Sequence, residues 1–470
     1  MKQPNKKILI DLLARPAVLI FLMTWFAYGA VINSSNLTAF DLQQIGVEAM
    51  VERHHFYLEG GATLQMTTKG DVFRYDNHLY AAKQPGQFMA GAVVFFVLRI
   101  FGLNYLKNYQ LTSALVVFFT TSLVLAASAA ALFKLARGLA ANPNDVFWPV
   151  AATLAYVFAT TTFPYSGIAH HDALATGYLV LAFYLIFQLS RREVDEHRYL
   201  KSAAAGLLLG LTITTSMLPF FMVLLCAVYF LYLRRWELLP VFLAGLLAGL
   251  LPLFIFDWVS FGNPLRLANI AGASMFADTF WHFTPKNLGD KLAFYSRALV
   301  FYVPVFAVGL FGLSYFPREI KRGATFLTLL GLMIVLAAYV FNIKSDGDCQ
   351  FGPRYLLPAM PFACLGIVGF SYLSRPSERV LAALAVVLTG VYSFVVNLVG
   401  ALRGAMGCPH GETAFWNHVT SLGAGEKLAY PLARSLLLPL MISATLFVIQ
   451  LATKTRRRTT SPFQSRVAHN

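Results

Sequence analysis

Leu238-Leu-Pro-Val-Phe-Leu-Ala-Gly-Leu-Leu-Ala-Gly-Leu-Leu-Pro-Leu-Phe-Ile-Phe256 runs without a charged side chain between Arg234, Arg235 and Glu237 on one flank and Asp257 on the other. As a helix, a run of this kind covers the ~30 Å of hydrocarbon in a bilayer. Comparable apolar runs recur at 16–33, 109–133, 146–163, 173–190, 202–217, 218–233, 298–316, 324–343, 355–374, 380–402 and 435–453, which with 238–256 makes twelve. Composition agrees: of 470 residues, 57% are hydrophobic, 13% are charged and 41 are Phe, and the mean hydropathy is +0.62, which excludes a soluble globule. The sequence therefore predicts an all-α polytopic membrane protein of about 12 transmembrane helices, a single domain over 1–470.

Its net charge of +15 does not point to nucleic acid, because the basic residues sit in short clusters at the ends of spans. A further apolar run, Phe88 to Leu103, is short, carries Arg99 and meets Asn104 and Lys107 at once, so it reads as an interfacial helix. With that reading, Lys2/Lys6/Lys7/Arg15, Lys134/Arg137, Arg191/Arg192/Lys201, Arg234/Arg235, Arg318/Lys321/Arg322, Arg375/Arg379 and Lys454/Arg456/Arg457/Arg458 all fall on one side; a thirteenth span would scatter them. Both termini are then cytoplasmic, residues 454–470 form a basic cytoplasmic tail, and the outer side receives 34–108, the turn 165–172, 257–297, 344–354 and 403–434. The first run also fits a signal peptide, with Gly29-Ala30 as a weak cleavage site; either way the 34–108 segment faces outward.

No Asp, Glu, Lys or Arg lies within these twelve runs. Ion-coupled carriers keep ionisable groups near the midplane, so this pattern favours a site at the lipid–water boundary. The 34–108 segment is the place for it. Asp41, Gln44, Glu48, Glu52, His55 and Glu59 recur at spacings of three and four, which predicts a surface helix with this polar face toward water. Thr38-Ala-Phe-Asp41 matches a capping box, so Asp41 is read either as a helix cap or as a reactive carboxylate. Lys83, in Tyr80-Ala-Ala-Lys83-Gln-Pro-Gly86, is read either as a snorkelling anchor or as a point charge that meets a phosphate.

The order of these features resembles the GT-C class of integral membrane glycosyltransferases, which includes the protein mannosyltransferases and the bacterial aminoarabinose transferases. The carrying residues are Asp41 opening the outer loop, the Lys83-Gln-Pro-Gly86 turn, the interfacial run ending in Phe101-Gly102, and Gly352-Pro-Arg354-Tyr355-Leu-Leu-Pro358. The resemblance covers roughly residues 1–375 and implies transfer of a hexosyl or pentosyl group from a polyprenyl phosphate carrier to a glycan, lipid or protein acceptor, on the periplasmic or extracellular face of the cytoplasmic membrane. It implies Asp41 as general base and Lys83 and Arg354 as ligands of the lipid phosphate. Tyr80, His170, His171 and Tyr355 are candidates for the substrate cavity. The chain departs from the familiar pattern in having Gln84-Pro85-Gly86 for Pro-Pro and no Glu before Lys83.

Asp346-Gly-Asp348 is a DxD pattern, the one place suggesting a cofactor, a divalent cation such as Mg²⁺ or Mn²⁺; ion pairing with Lys344 and Arg354 is the plainer alternative. His170-His171-Asp172 at an outer turn could supply ligands too, but the adjacent histidines are expected to point to different faces and to make a poor pair, so turn hydration or substrate contact is the favoured reading. Cys226 and Cys364 lie in spans, whereas Cys349 and Cys408 lie in outer loops and are expected to form a disulfide, with two free thiols as the alternative. The competing functions are a lipid-linked oligosaccharide ligase or polymerase, which would carry its large outer loop late in the chain, and a flippase or transporter, which would show inverted repeats or buried charge.

Overall fold

The computed structural model describes residues 15–39, 41–60, 71–142, 144–191, 196–272, 285–343, 350–405 and 412–459. All twelve expected spans fall on helices, as a bilayer requires of backbone groups that find no water. Among the described residues, seven helices are long and apolar enough to cross a membrane: Tyr105–Leu139, His171–Ser190, Trp236–Phe261, Ala324–Asn342, Arg354–Tyr372, Pro376–Arg403 and Ala433–Thr453. An eighth arises if the pair Leu288–Tyr302 and Pro304–Tyr315 counts as one span; it is bent by 97°, so the expected straight span at 298–316 is broken where Pro304 begins the second piece. The other expected spans fall on the shorter apolar helices Pro16–Ala30, Phe147–Phe158 and Phe220–Tyr232 and on Arg198–Thr215. The chain is a multi-pass membrane protein built almost wholly of helix.

The bundle has two unlike ends. At one, Arg235 donates to the carbonyl of Arg191, Arg379 to the carbonyls of Leu373 and Ser371, and the Tyr372 hydroxyl to Leu139. Several of the basic clusters thus share an end. At the other end lie the start of His171–Ser190, the finish of Arg198–Thr215 and the finish of Trp236–Phe261. The last two helices are clamped together by Gly206, Gly210, Gly245 and Gly249, each facing backbone of its partner so closely that a Cβ would collide. Thr214 adds a bond from its hydroxyl to the Gly249 carbonyl at 2.7 Å. The clamp fixes where residues 214–216 emerge.

The 34–108 segment departs most from expectation. The helix predicted to run on to Glu59 spans Asp41–Glu52, and His54 follows with φ 60°, a left-handed conformation that ends it. Part of its polar face is turned inward: Gln44 and Glu48 are buried, Gln44 accepting from the Tyr105 hydroxyl at 2.7 Å and Glu48 lying 3.5 Å from Arg53. After it comes an unforeseen hairpin, β1 (Val72–Tyr75) and β2 (His78–Ala81), in the register Val72↔Ala81 to Tyr75↔His78. Asp76 and Asn77, with φ 47° and 60°, form the two-residue turn whose twist suits a hairpin. The run read as interfacial forms the helix Gly86–Ile100, and Arg99 ties it to Glu52 at 3.2 Å. Phe73 and Tyr80 of the hairpin pack on Phe261, and Phe56 and Phe88 on Phe256.

The twelve runs carry no charge, as read, but three of the helices extend beyond their runs to take in a charged residue. Asp172, Asp257 and Arg354 are all buried and all sit within helices, each near the hairpin end rather than at mid-span.

Candidate active site

Four separate stretches of chain bring ionisable groups to the hairpin end. From the hairpin come Asp71 and Lys83, whose Oδ2 and Nζ are 3.0 Å apart; the Ala82 amide donates to the Asp71 carbonyl at 2.7 Å and holds the two strand ends in step. Asp71 has φ 60°, a conformation that Asp tolerates better than most residues. Burial pushes its carboxyl upward, but the Lys83 ammonium, aided by Arg354, outweighs that and holds it below the usual carboxylate range.

The second stretch is the start of His171–Ser190. His170 is its N-cap, in extended conformation, with Nδ1 accepting from the Ala173 amide at 3.4 Å. Because His170 stands outside the helix, the two histidines do not diverge as expected. Their rings stack at 4.9 Å with 17° between planes. Burial pulls His170 well below the ordinary histidine range, so it is neutral near pH 7. Asp172, 2% exposed, accepts a 2.6 Å bond from the Ser216 hydroxyl, and His171 Nε2 lies 3.4 Å from the same oxygen. Ser216 is the third stretch.

The fourth is Gly352-Pro-Arg354-Tyr355. Arg354 is 6% exposed, its guanidinium lies 4.5 Å from the centre of the Tyr355 ring, and its charge acts on Asp71, His170, His171 and Asp172. Tyr165, its ring tilted by 55° against that of His170 at 4.6 Å, donates to the Phe351 carbonyl at 3.0 Å and anchors this stretch. Gly352 has φ 70°, and a Cβ there would come within 2.7 Å of Thr161.

The structure thus brings Lys83, Arg354, His170, His171 and Tyr355 into one region. Tyr80 is buried in the aromatic cluster with Phe73 and Phe261. Asp41 is the first residue of its helix, which packs through Gly46 on Phe88 of the Gly86–Ile100 helix; its side chain lies outside the described residues, as do Asp346, Asp348, Cys349 and Cys408. Among the described residues no group of three His, Cys, Asp or Glu is placed to hold a metal. The region also includes Asp71, Tyr165 and Ser216, which sequence reasoning did not select, and Asp172, which it read only as a possible ligand beside the two histidines.

The departure at Gln84-Pro-Gly has a physical reason. Gly86 lies against the finish of the Arg198–Thr215 helix, where a Cβ would sit 2.7 Å from the Thr215 Cα. A second proline would not fit. Gly86→Ala is expected to cost about 1–3 kcal/mol by overpacking and to shift Lys83, three residues away. Gly289→Ala, where no atom lies within 4 Å, is the control. Thermal unfolding of both variants checks this, and equal melting temperatures would contradict it.

No protein-family profile matches this sequence, and no curated protein does. Among solved structures, the aminoarabinose transferase ArnT from Cupriavidus metallidurans, bound to undecaprenyl phosphate, is 13% identical over 92% of this chain and 75% of its own, with a TM-score of 0.49. The archaeal oligosaccharyltransferase AglB from Archaeoglobus fulgidus, in complex with an inhibitory peptide and a dolichol-phosphate, is 12% identical over 83% of this chain and 56% of its own, with a TM-score of 0.49.

Proposed function

We propose that this protein is a membrane glycosyltransferase of the GT-C type, which moves a sugar from a polyprenyl phosphate carrier to an acceptor at the hairpin end of the bundle. The observation that carries the proposal is the convergence of Lys83 and Arg354, from opposite parts of the chain, on a polar region at one end of an otherwise apolar bundle. A phosphate on a lipid anchor is the ligand such a place suits: the tail stays in the bilayer and the head meets two cations at its edge. The motif order from Asp41 to Tyr355 supports the same reading.

In this mechanism Asp41 takes the proton of the acceptor hydroxyl as its oxygen attacks the anomeric carbon. The bond from that carbon to the phosphate oxygen breaks, and the electron pair leaves with the phosphate, where Lys83 and Arg354 stabilise it. One base and two cations on opposite sides suit a single displacement with inversion. We place the reaction on the periplasmic or extracellular face of the cytoplasmic membrane, with the basic clusters and both termini inside.

Lys83→Met tests the phosphate site. Lys83 is partly exposed, so its loss leaves folding intact, while a charge-assisted contact worth about 1.5–3 kcal/mol disappears. Polyprenyl phosphate binding should weaken by roughly 10–100-fold, with partial recovery in Lys83→Arg. Unchanged affinity in Lys83→Met would defeat the assignment.

A further inference from the structure

We propose that Asp71 sets the charge preference of the phosphate site, favouring the singly charged donor phosphodiester over the doubly charged phosphate monoester left after transfer. This deepens the function proposed above and rests on the reading of Lys83 and Arg354 as phosphate ligands. Lys83 does not wait free for a ligand: its ammonium is already matched by Asp71 at 3.0 Å. The site holds two cations, Lys83 and Arg354, against two carboxylates, Asp71 and Asp172, and His170 is neutral. The carboxylates differ in reach. Asp172 is 3% exposed in its side chain and committed to Ser216 and His171, whereas the Asp71 side chain is 48% exposed, at the rim where a ligand enters.

A phosphate that takes up Lys83 is therefore held beside a carboxylate that stays close, since the Ala82 amide and the hairpin register fix its backbone. The donor diester brings one negative charge. When the carbon–oxygen bond breaks, the lipid keeps the bonding electrons on its phosphate, and above a second pKa of about 6 that group carries up to two charges. Charges a few ångströms apart at a protein surface repel strongly enough to change affinity about tenfold. Asp71 thus penalises the second charge and promotes release of spent carrier.

The test is Asp71→Asn, which keeps the shape and tolerates the same left-handed backbone. Binding of a polyprenyl phosphate and of a polyprenyl-phosphate-linked sugar is titrated separately at pH 8 on the full-length protein in lipid nanodiscs. The monoester should bind roughly tenfold tighter than to wild type and the diester only about threefold tighter, half the effect in free energy for half the charge, with correspondingly stronger inhibition of turnover by added polyprenyl phosphate. If Asp71 merely holds Lys83 in position, both lipids bind more weakly to the variant, and the proposal falls. Equal tightening of both also overturns it. Failure of the wild type to bind either lipid would instead remove the underlying phosphate-site reading.

Discussion

Replacing Arg354 with Met is expected to abolish binding of polyprenyl phosphate and to lower stability at once. Arg354 is 6% exposed, and its charge acts on the buried Asp172, whose contacts are Ser216 and His171. Loss of Arg354 leaves the buried carboxylate charge less well balanced, a mechanism behind destabilisation of up to about 3 kcal/mol. The loss of a phosphate contact adds to this. The two effects separate by comparison: Lys83→Met should lose affinity with little change in melting temperature, whereas Arg354→Met should lose both, and Arg354→Lys should regain stability before affinity. A large drop in melting temperature with unaltered lipid binding would make Arg354 a structural counter-ion of Asp172 and nothing more.

Asp41→Asn has the other large effect, and it falls on turnover. Asn keeps the size of Asp and most of its preference for a helix start, so a capping role predicts a loss of at most ~1 kcal/mol of stability with activity retained. A base predicts the reverse. Turnover should drop by roughly 10²–10⁴-fold while expression and donor binding hold near wild type. Asp41 begins the Asp41–Glu52 helix, and the kinetic comparison is what divides the two roles. A variant working near the wild-type rate would end the catalytic assignment.

Much of the architecture was legible because a bilayer imposes so few solutions. Apolar length marked the helices on which all twelve runs fall, and Arg99, the charge that sets the Gly86–Ile100 helix apart from them, pairs with Glu52. Partners distant in sequence were not legible. The stripe Gln44, Glu48 read as water-facing because Tyr105, which covers Gln44, comes from another helix. His170 and His171 were placed on diverging faces by assuming helical geometry for both, and the extended backbone of His170 removes that assumption. Asp172 meets Ser216 across 44 residues, a pairing no local pattern encodes. The hairpin did carry a signal. Val72-Phe-Arg-Tyr75 and His78-Leu-Tyr-Ala81 flank Asp76-Asn77, a residue pair suited to a tight two-residue turn, and the strands were overlooked because each is only four residues long. Asp71 went unselected for the same reason, since its closeness to Lys83 exists only once the strands pair.

The account stands on transfer chemistry at a lipid-linked sugar rather than passage of that lipid across the bilayer. The most direct measurement supplies purified protein in liposomes with a labelled polyprenyl-phosphate-linked sugar and a cell-envelope extract as acceptor, then follows both the label and the lipid. Cleavage at the anomeric carbon, with label appearing on the acceptor, polyprenyl phosphate released in equal amount, and both lost in Asp41→Asn, is the predicted result. Donor that is bound and moved between leaflets intact, with no polyprenyl phosphate released, would contradict the account and make the protein a lipid transporter.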